Sequence, residues 1–126
     1  MHITKFEDVI AWQKAKELTL LVYGLFYESK DYSFKDQITR AALSSMNNIA
    51  EGFDRGTDKE LIYFLQISRG SSSEVRSMSY VAEAINYITK EQQQKIEKLT
   101  LDIANLTSGF ITKLRQVTND KQQKTS

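Results

Sequence analysis

The chain has 126 residues, enough for one domain, and its 40% hydrophobic and 26% charged residues are typical of a globular protein. It contains no Cys, which excludes disulfides, thiolate nucleophiles and cysteine-based zinc or iron–sulfur sites. The N-terminus lacks a signal-peptide pattern, and no apolar run approaches ~18 residues, so we expect a cytoplasmic protein that does not span a membrane. The net charge is +1, but residues 89–126 hold 7 basic and 4 acidic side chains, a local excess of +3.

The first two predicted helices cover about residues 7–29 and 33–55. Because Pro is absent and only five Gly occur, few residues interrupt helices. Ser33 is a candidate cap for the second helix, and Gly52 and Gly56 mark its end. Apolar residues at helical spacing form one core-facing side on each: Ala11, Ala15, Leu18, Val22 and Leu25 on the first, and Phe34, Ile38, Ala41, Ile49 and Phe53 on the second.

The third predicted helix covers about residues 57–88. Thr57 followed three residues later by Glu60 is a capping-box pattern, which indicates where the helix begins. The segment 69–73, RGSSS, has the composition of a loop or a phosphate-binding turn. The apolar spacing continues through it in phase, so we predict that it is helical and that its small residues let a neighbouring helix approach closely.

The fourth predicted helix covers about residues 90–117 and has the clearest apolar stripe. Thr89 and Gln92 repeat the capping-box pattern at its start. The polar segment that follows is predicted to be a disordered tail over 119–126, so the folded domain spans 1–118.

Four amphipathic helices joined by short connections favour an all-α fold, an antiparallel up-down-up-down four-helix bundle. A long coiled-coil dimer is the alternative architecture.

The first helix carries a second apolar line on the side opposite its core face. An ordinary surface helix has one such stripe, and Trp and Tyr are enriched at protein interfaces. We therefore predict a homo-oligomer that uses this face; the alternative is that rotation of the helix places these residues at the edge of the core of a monomer. The predicted interface residues are Val9, Trp12, Leu20, Tyr23 and Tyr27.

The sequence offers little for catalysis. His2 is the only His, so a catalytic imidazole or a His-containing metal cluster cannot be assembled within the chain away from its N-terminus. The Ser residues have no evident base that could activate them as nucleophiles. Activation by a Lys partner is the one route left open. We predict that the protein is not an enzyme and has no metal site and no cofactor.

Residues between Phe6 and Tyr87 match positions that are characteristic of a known family. They are Phe6, Asp8, Trp12, Gln13, Ala15, Leu18, Gln37, Ile38, Arg40, Ala41, Ala42, the run Asn48-Ile49-Ala50-Glu51-Gly52, Arg55, Lys59, Glu60, Phe64, Leu65, Gly70, Ser71, Glu74 and Tyr87. In these positions the chain resembles the four-helix-bundle proteins encoded in 23S ribosomal RNA intervening sequences. It departs from the family at Thr39, where an Arg pair is common, at Ser45-Met46, where Ile-Pro is usual, and at Asn86, where Gly is frequent.

This resemblance implies a bundle that assembles as a homopentamer and has no enzymatic activity. It also implies an association with ribosomal RNA genes or, in a related group, with a reverse transcriptase and nucleic acid in diversity-generating retroelements. The first functional hypothesis is an oligomeric accessory protein that binds RNA or DNA; the second is a scaffold that docks a partner protein such as a reverse transcriptase. The candidate nucleic-acid-binding residues are Arg40, Arg55, Lys59, Lys95, Lys98, Lys113 and Arg115.

Overall fold

The computed structural model describes residues 3–125, except for the side chains at positions 122, 124 and 125. Within that range the secondary structure is helical, with four long helices and no strands. A short 3-10 helix, Phe6–Asp8, precedes them. The four helices are α1 (Ile10–Phe26), α2 (Tyr32–Arg55), α3 (Asp58–Ala84) and α4 (Lys90–Thr125).

Three helix starts are explained by their caps. The Asp31 side chain accepts a hydrogen bond from the Phe34 backbone N–H at 3.2 Å, so Asp31 caps α2 in place of the predicted Ser33. Thr57 accepts from the Glu60 N–H at 3.2 Å, as its sequence pattern predicted. The capping box at α4 is complete, because the Thr89 N–H also donates to the Gln92 side chain at 2.9 Å.

Two helix ends depend on residues that adopt a left-handed backbone. Gly56 has φ +89° and ends α2, as the sequence predicted. Asn86 has φ +64° and follows α3, which therefore ends at Ala84 rather than near residue 88. Asn tolerates this conformation better than most side chains, which explains how it replaces a Gly here.

The first helix is shorter than predicted and the last is longer. Val9 is extended, with ψ +118°, so α1 begins at Ile10 instead of residue 7, and it ends at Phe26 instead of residue 29. The prediction of a disordered tail over 119–126 is corrected, since α4 continues to Thr125; Ser126 lies outside the described residues. No Pro or Gly interrupts this polar segment, and its Lys and Gln residues favour helix.

Each helix packs against its neighbours in chain order, and α1 also packs against α4. The large side chains that are completely buried come from all four helices: Leu18, Phe26, Ile38, Ile49, Leu65, Ile96 and Ile103. A single core therefore lies between the four helices.

Small residues line the α2–α3 contact and let the two helices approach closely. Gly52 lies against Leu61 and Phe64, and a Cβ atom at this position would be 2.7 Å from the Phe64 Cβ. Farther along, the buried Ser68 hydroxyl donates to the Ser45 carbonyl at 2.6 Å. The RGSSS segment is helical, as predicted; within it the Ser71 hydroxyl bonds to the Ser44 hydroxyl of α2 at 2.8 Å, and Ser72 is buried.

Candidate interaction surfaces

The predicted oligomer interface on α1 is only partly exposed. Val9 is 2% exposed and belongs to the core, so it is removed from the predicted surface. Trp12 is half-buried, and its ring makes an edge-to-face contact with Phe6 at 5.2 Å. Leu20, Tyr23 and Tyr27 are 64%, 41% and 74% exposed. We call these three residues the α1 outer stripe; they lie at positions i, i+3 and i+7 on one helix face.

Val9 was assigned wrongly because helical spacing was extended beyond the start of the helix. The residue lies before Ile10 in extended backbone, where a side-chain direction inferred from a helical period does not apply. Its side chain consequently reaches the core although the helical period assigns it to the outer face.

Two of the predicted basic residues on α2 are already paired. The Arg40 Nε lies 3.0 Å from Asp36, so a carboxylate offsets its charge. Arg55 contacts Glu51 at 2.8 Å and Glu60 at 3.6 Å, and its guanidinium lies 5.2 Å from the centre of the Phe64 ring. Arg55 therefore joins the end of α2 to the start of α3 within one subunit.

The remaining predicted cations do not form one patch. Lys59 is exposed at the start of α3 and forms no ion pair with another described residue. Lys113 and Arg115 are two positions apart on α4, so they point about 200° apart around the helix. Lys113 lies beside α1, where it lines a cavity with Ile10.

Lys95 and Lys98 lie together in a groove between α1 and α4. The groove has a volume of about 370 Å³ and also contains Lys14 of α1, which sequence reasoning did not select. Its other lining residues are Glu17, Leu21, Leu99 and Asp102. We call it the lysine groove. Lys14 is 81 positions from Lys95, so only the packing of the first helix against the last brings these cations together.

An apolar groove adjoins the lysine groove along the same pair of helices. It has a volume of about 420 Å³ and is lined mainly by apolar residues, together with Asp8, Asn105 and Lys113. Gly109 contributes no side chain to it, and a Cβ atom at that position would meet nothing within 4 Å. The apolar lining consists of Ile3, Val9, Ile10, Ala11, Leu106 and Phe110.

Two exposed tyrosines have pKa values above the ordinary value for a tyrosine side chain. The Tyr87 hydroxyl donates to Asp31 Oδ2 at 2.7 Å, and this hydrogen bond to a carboxylate raises the pKa of Tyr87 above 10.0. The Tyr80 hydroxyl donates to Glu97, which raises the pKa of Tyr80 in the same way. Both side chains therefore stay protonated at neutral pH and connect neighbouring elements.

Tyr87→Phe is expected to lower the free energy of unfolding at neutral pH, because it removes the hydrogen bond to the Asp31 cap and keeps the ring contact with Phe34. The raised pKa of Tyr87 means that its stabilising contribution is fully present below pH 10.0 and is lost as the pH rises through the folded-state value. Urea unfolding at several pH values measures this loss. Tyr63→Phe is the control, since Tyr63 is also exposed and contacts a Phe ring but its hydroxyl forms no hydrogen bond with another described residue; an equal effect of both variants would contradict the expectation.

The described residues hold no group of three or more His, Cys, Asp or Glu side chains arranged to bind a metal ion. His2, the only His, lies outside them. None of the helices within residues 3–125 combines the length and apolar content needed to cross a bilayer.

Comparison with known proteins agrees with this arrangement of four helices. The family model described as "23S rRNA-intervening sequence protein" matches residues 7–109, most of the chain. The chain belongs to this family. No curated protein matches this chain significantly.

A solved structure shows the same fold. It is a protein of unknown function from the S23 ribosomal protein family of Bacteroides thetaiotaomicron, with a TM-score of 0.74 and 24% sequence identity. The alignment covers 80% of this chain and 97% of that one.

The run Asn48-Ile49-Ala50-Glu51-Gly52, which carried much of the family resemblance, has a packing role in the structure. The Asn48 side chain donates to the Ser44 carbonyl at 2.7 Å, and Ile49 is completely buried. Gly52 lies in the close contact with α3. These residues position α2 against α3 rather than lining either groove.

Proposed function

We propose that this family member is a non-enzymatic subunit of a cytoplasmic homo-oligomer, a pentamer by family resemblance, that binds RNA or other nucleic acid as an accessory protein. The exposed α1 outer stripe supports the oligomer, because large apolar side chains grouped on one helix face are unusual on a monomer. The name of the family and the basic α4 support the nucleic-acid partner.

Each subunit in this proposal is an up-down-up-down bundle. Contacts between successive helices join rising residue numbers to falling ones. Between α2 and α3, Ser44 bonds to Ser71 and Gly52 lies against Leu61. Between α3 and α4, Arg69 bonds to Ser108 and Tyr80 bonds to Glu97. Connections of two to five residues also favour opposite directions for successive helices.

The oligomer is tested by size-exclusion chromatography with light scattering at micromolar protein concentration. We expect a mass that is a multiple of 14.5 kDa. A monomeric mass at that concentration would contradict the proposal.

Nucleic-acid binding is tested by titrating a labelled single-stranded RNA at two salt concentrations. Because phosphate contacts release counterions, affinity is expected to fall steeply between ~50 mM and ~200 mM salt. Each subunit has a net charge of only +1, so measurable affinity depends on several subunits binding one RNA molecule. No detectable binding at ~50 mM salt would reject this part of the proposal.

The second candidate function is a scaffold that docks a partner protein such as a reverse transcriptase. The apolar groove between α1 and α4 favours this alternative, because ridges of a partner's side chains pack into such grooves. A pull-down that recovers only nucleic acid would count against it.

A further inference from the structure

The lysine groove places three cations from two helices around one cavity. Lys14 belongs to α1, and Lys95 and Lys98 belong to α4. Leu21 and Leu99 also line the groove, so the lysine stems lie beside apolar side chains while the ammonium groups face solvent. Cations with this placement can contact an anion that enters between the helices.

The two carboxylates in the groove hold these cations only weakly. Lys14 lies 3.8 Å from Glu17, and Lys98 lies 3.5 Å from Asp102, both at the long end of the range for ion pairs. Such solvent-exposed pairs contribute little to stability, so a competing anion can displace them. Lys95 has no ion pair with another described residue.

We propose that the lysine groove binds the phosphate backbone of single-stranded nucleic acid through Lys14, Lys95 and Lys98. This inference rests on the nucleic-acid binding proposed above. Leu21 and Leu99 line the groove beside the cations, and a single strand, unlike a duplex, can place the faces of its bases against such side chains. Glu17 and Asp102 act as internal competitors that keep the affinity of one groove low.

The adjoining apolar groove extends the same binding path. It continues along the α1–α4 pair to Lys113, which lies 15 positions beyond Lys98, or about 22 Å along the helix axis. Leu106 and Phe110 line it and offer apolar surface to the bases of a strand whose phosphates contact the lysines. Contacts of this kind use the faces of bases, so binding with little sequence preference is expected.

The sharpest test removes the competitors instead of the cations. Glu17→Gln with Asp102→Asn is expected to raise affinity for a labelled oligouridine RNA several-fold at ~50 mM salt. The matched control is Asp54→Asn with Glu74→Gln, which makes the same change in net charge at exposed positions on α2 and α3. Equal gains in the two double variants would overturn the groove proposal, because they would reflect net charge alone.

A complementary variant removes the three cations. The triple variant carries Lys14→Ala, Lys95→Ala and Lys98→Ala. We expect its affinity for the RNA to be lower by about tenfold or more, and the slope of log affinity against log salt concentration to be less steep by about two. The control replaces Lys5, Lys30 and Lys90, which lie outside both grooves. Circular dichroism is used to check that both triple variants remain folded.

The outcomes separate the two proposals. If wild-type protein does not bind RNA at ~50 mM salt, the proposed function fails, and the groove proposal fails with it. If wild-type protein binds but the groove variants behave as their controls, only the groove proposal fails. Tighter binding to a duplex of the same length would likewise overturn the assignment to a single strand.

Discussion

Gly52→Ala is expected to lower the free energy of unfolding by about 1–3 kcal/mol, the usual cost of overpacking a close contact. The new methyl group would lie 2.7 Å from the Phe64 Cβ and 3.4 Å from the Leu61 Cα. The Phe64 Cβ is bonded directly to the backbone and cannot rotate away, so α2 and α3 must separate to relieve the 2.7 Å contact. Because Ala favours helix over Gly by up to about 1 kcal/mol, the net loss is smaller than the steric cost alone. Urea unfolding followed by circular dichroism measures it.

Gly70→Ala is the matched control, since it makes the same chemical change in α3. A Cβ atom at Gly70 would meet nothing within 4 Å. The variant is therefore expected to raise the free energy of unfolding by about 0.5–1 kcal/mol through helix propensity. If both variants raised stability equally, the close α2–α3 contact would not be a determinant of the fold.

Leu20→Glu together with Tyr27→Glu is expected to convert the proposed oligomer to monomer. Both side chains are more than 60% exposed in the single subunit, so their replacement leaves the core intact. In an interface they would be buried, and two carboxylates without partners there cost several kcal/mol per subunit contact. Light scattering measures the mass, and circular dichroism confirms the helix content.

Tyr63→Glu together with Val81→Glu is the control for this experiment. These residues are 59% and 50% exposed and lie on the outer face of α3, so the change in charge and in exposed apolar area is similar. The control is expected to remain oligomeric. If it dissociated while the α1 variant did not, the interface would lie on α3 rather than on the α1 outer stripe.

Features that depend on a few neighbouring residues were predicted well from the sequence. Thr57 and Thr89 cap their helices as their patterns indicated, because a cap involves atoms only three residues apart. Gly56 ends α2 for a similar local reason. Apolar spacing also identified most core residues, such as Leu18 and Ile103, because one helix face must be buried.

The errors in the candidate surfaces arose where local rules were extended too far. Val9 was assigned by helical period although it precedes the helix. The end of α4 was placed too early because its polar composition resembles that of a frayed tail, although nothing in it breaks a helix. Arg55 was selected because it matches a basic position of the family; its i, i+4 partner Glu51 is evident from the sequence, whereas the contact with Glu60 became evident only from side-chain positions.

The amino-acid sequence by itself determined four amphipathic helices, the caps at Thr57 and Thr89 and the family to which the chain belongs, because these follow from residue types at short, regular spacing. Only the tertiary structure decided which exposed residues share a surface. Lys14 and Lys95 lie in one groove because α1 packs against α4, whereas Lys113 and Arg115 point apart although they are close in sequence. Helix packing joins residues that are distant along the chain, and the spacing within one helix carries no information about that contact.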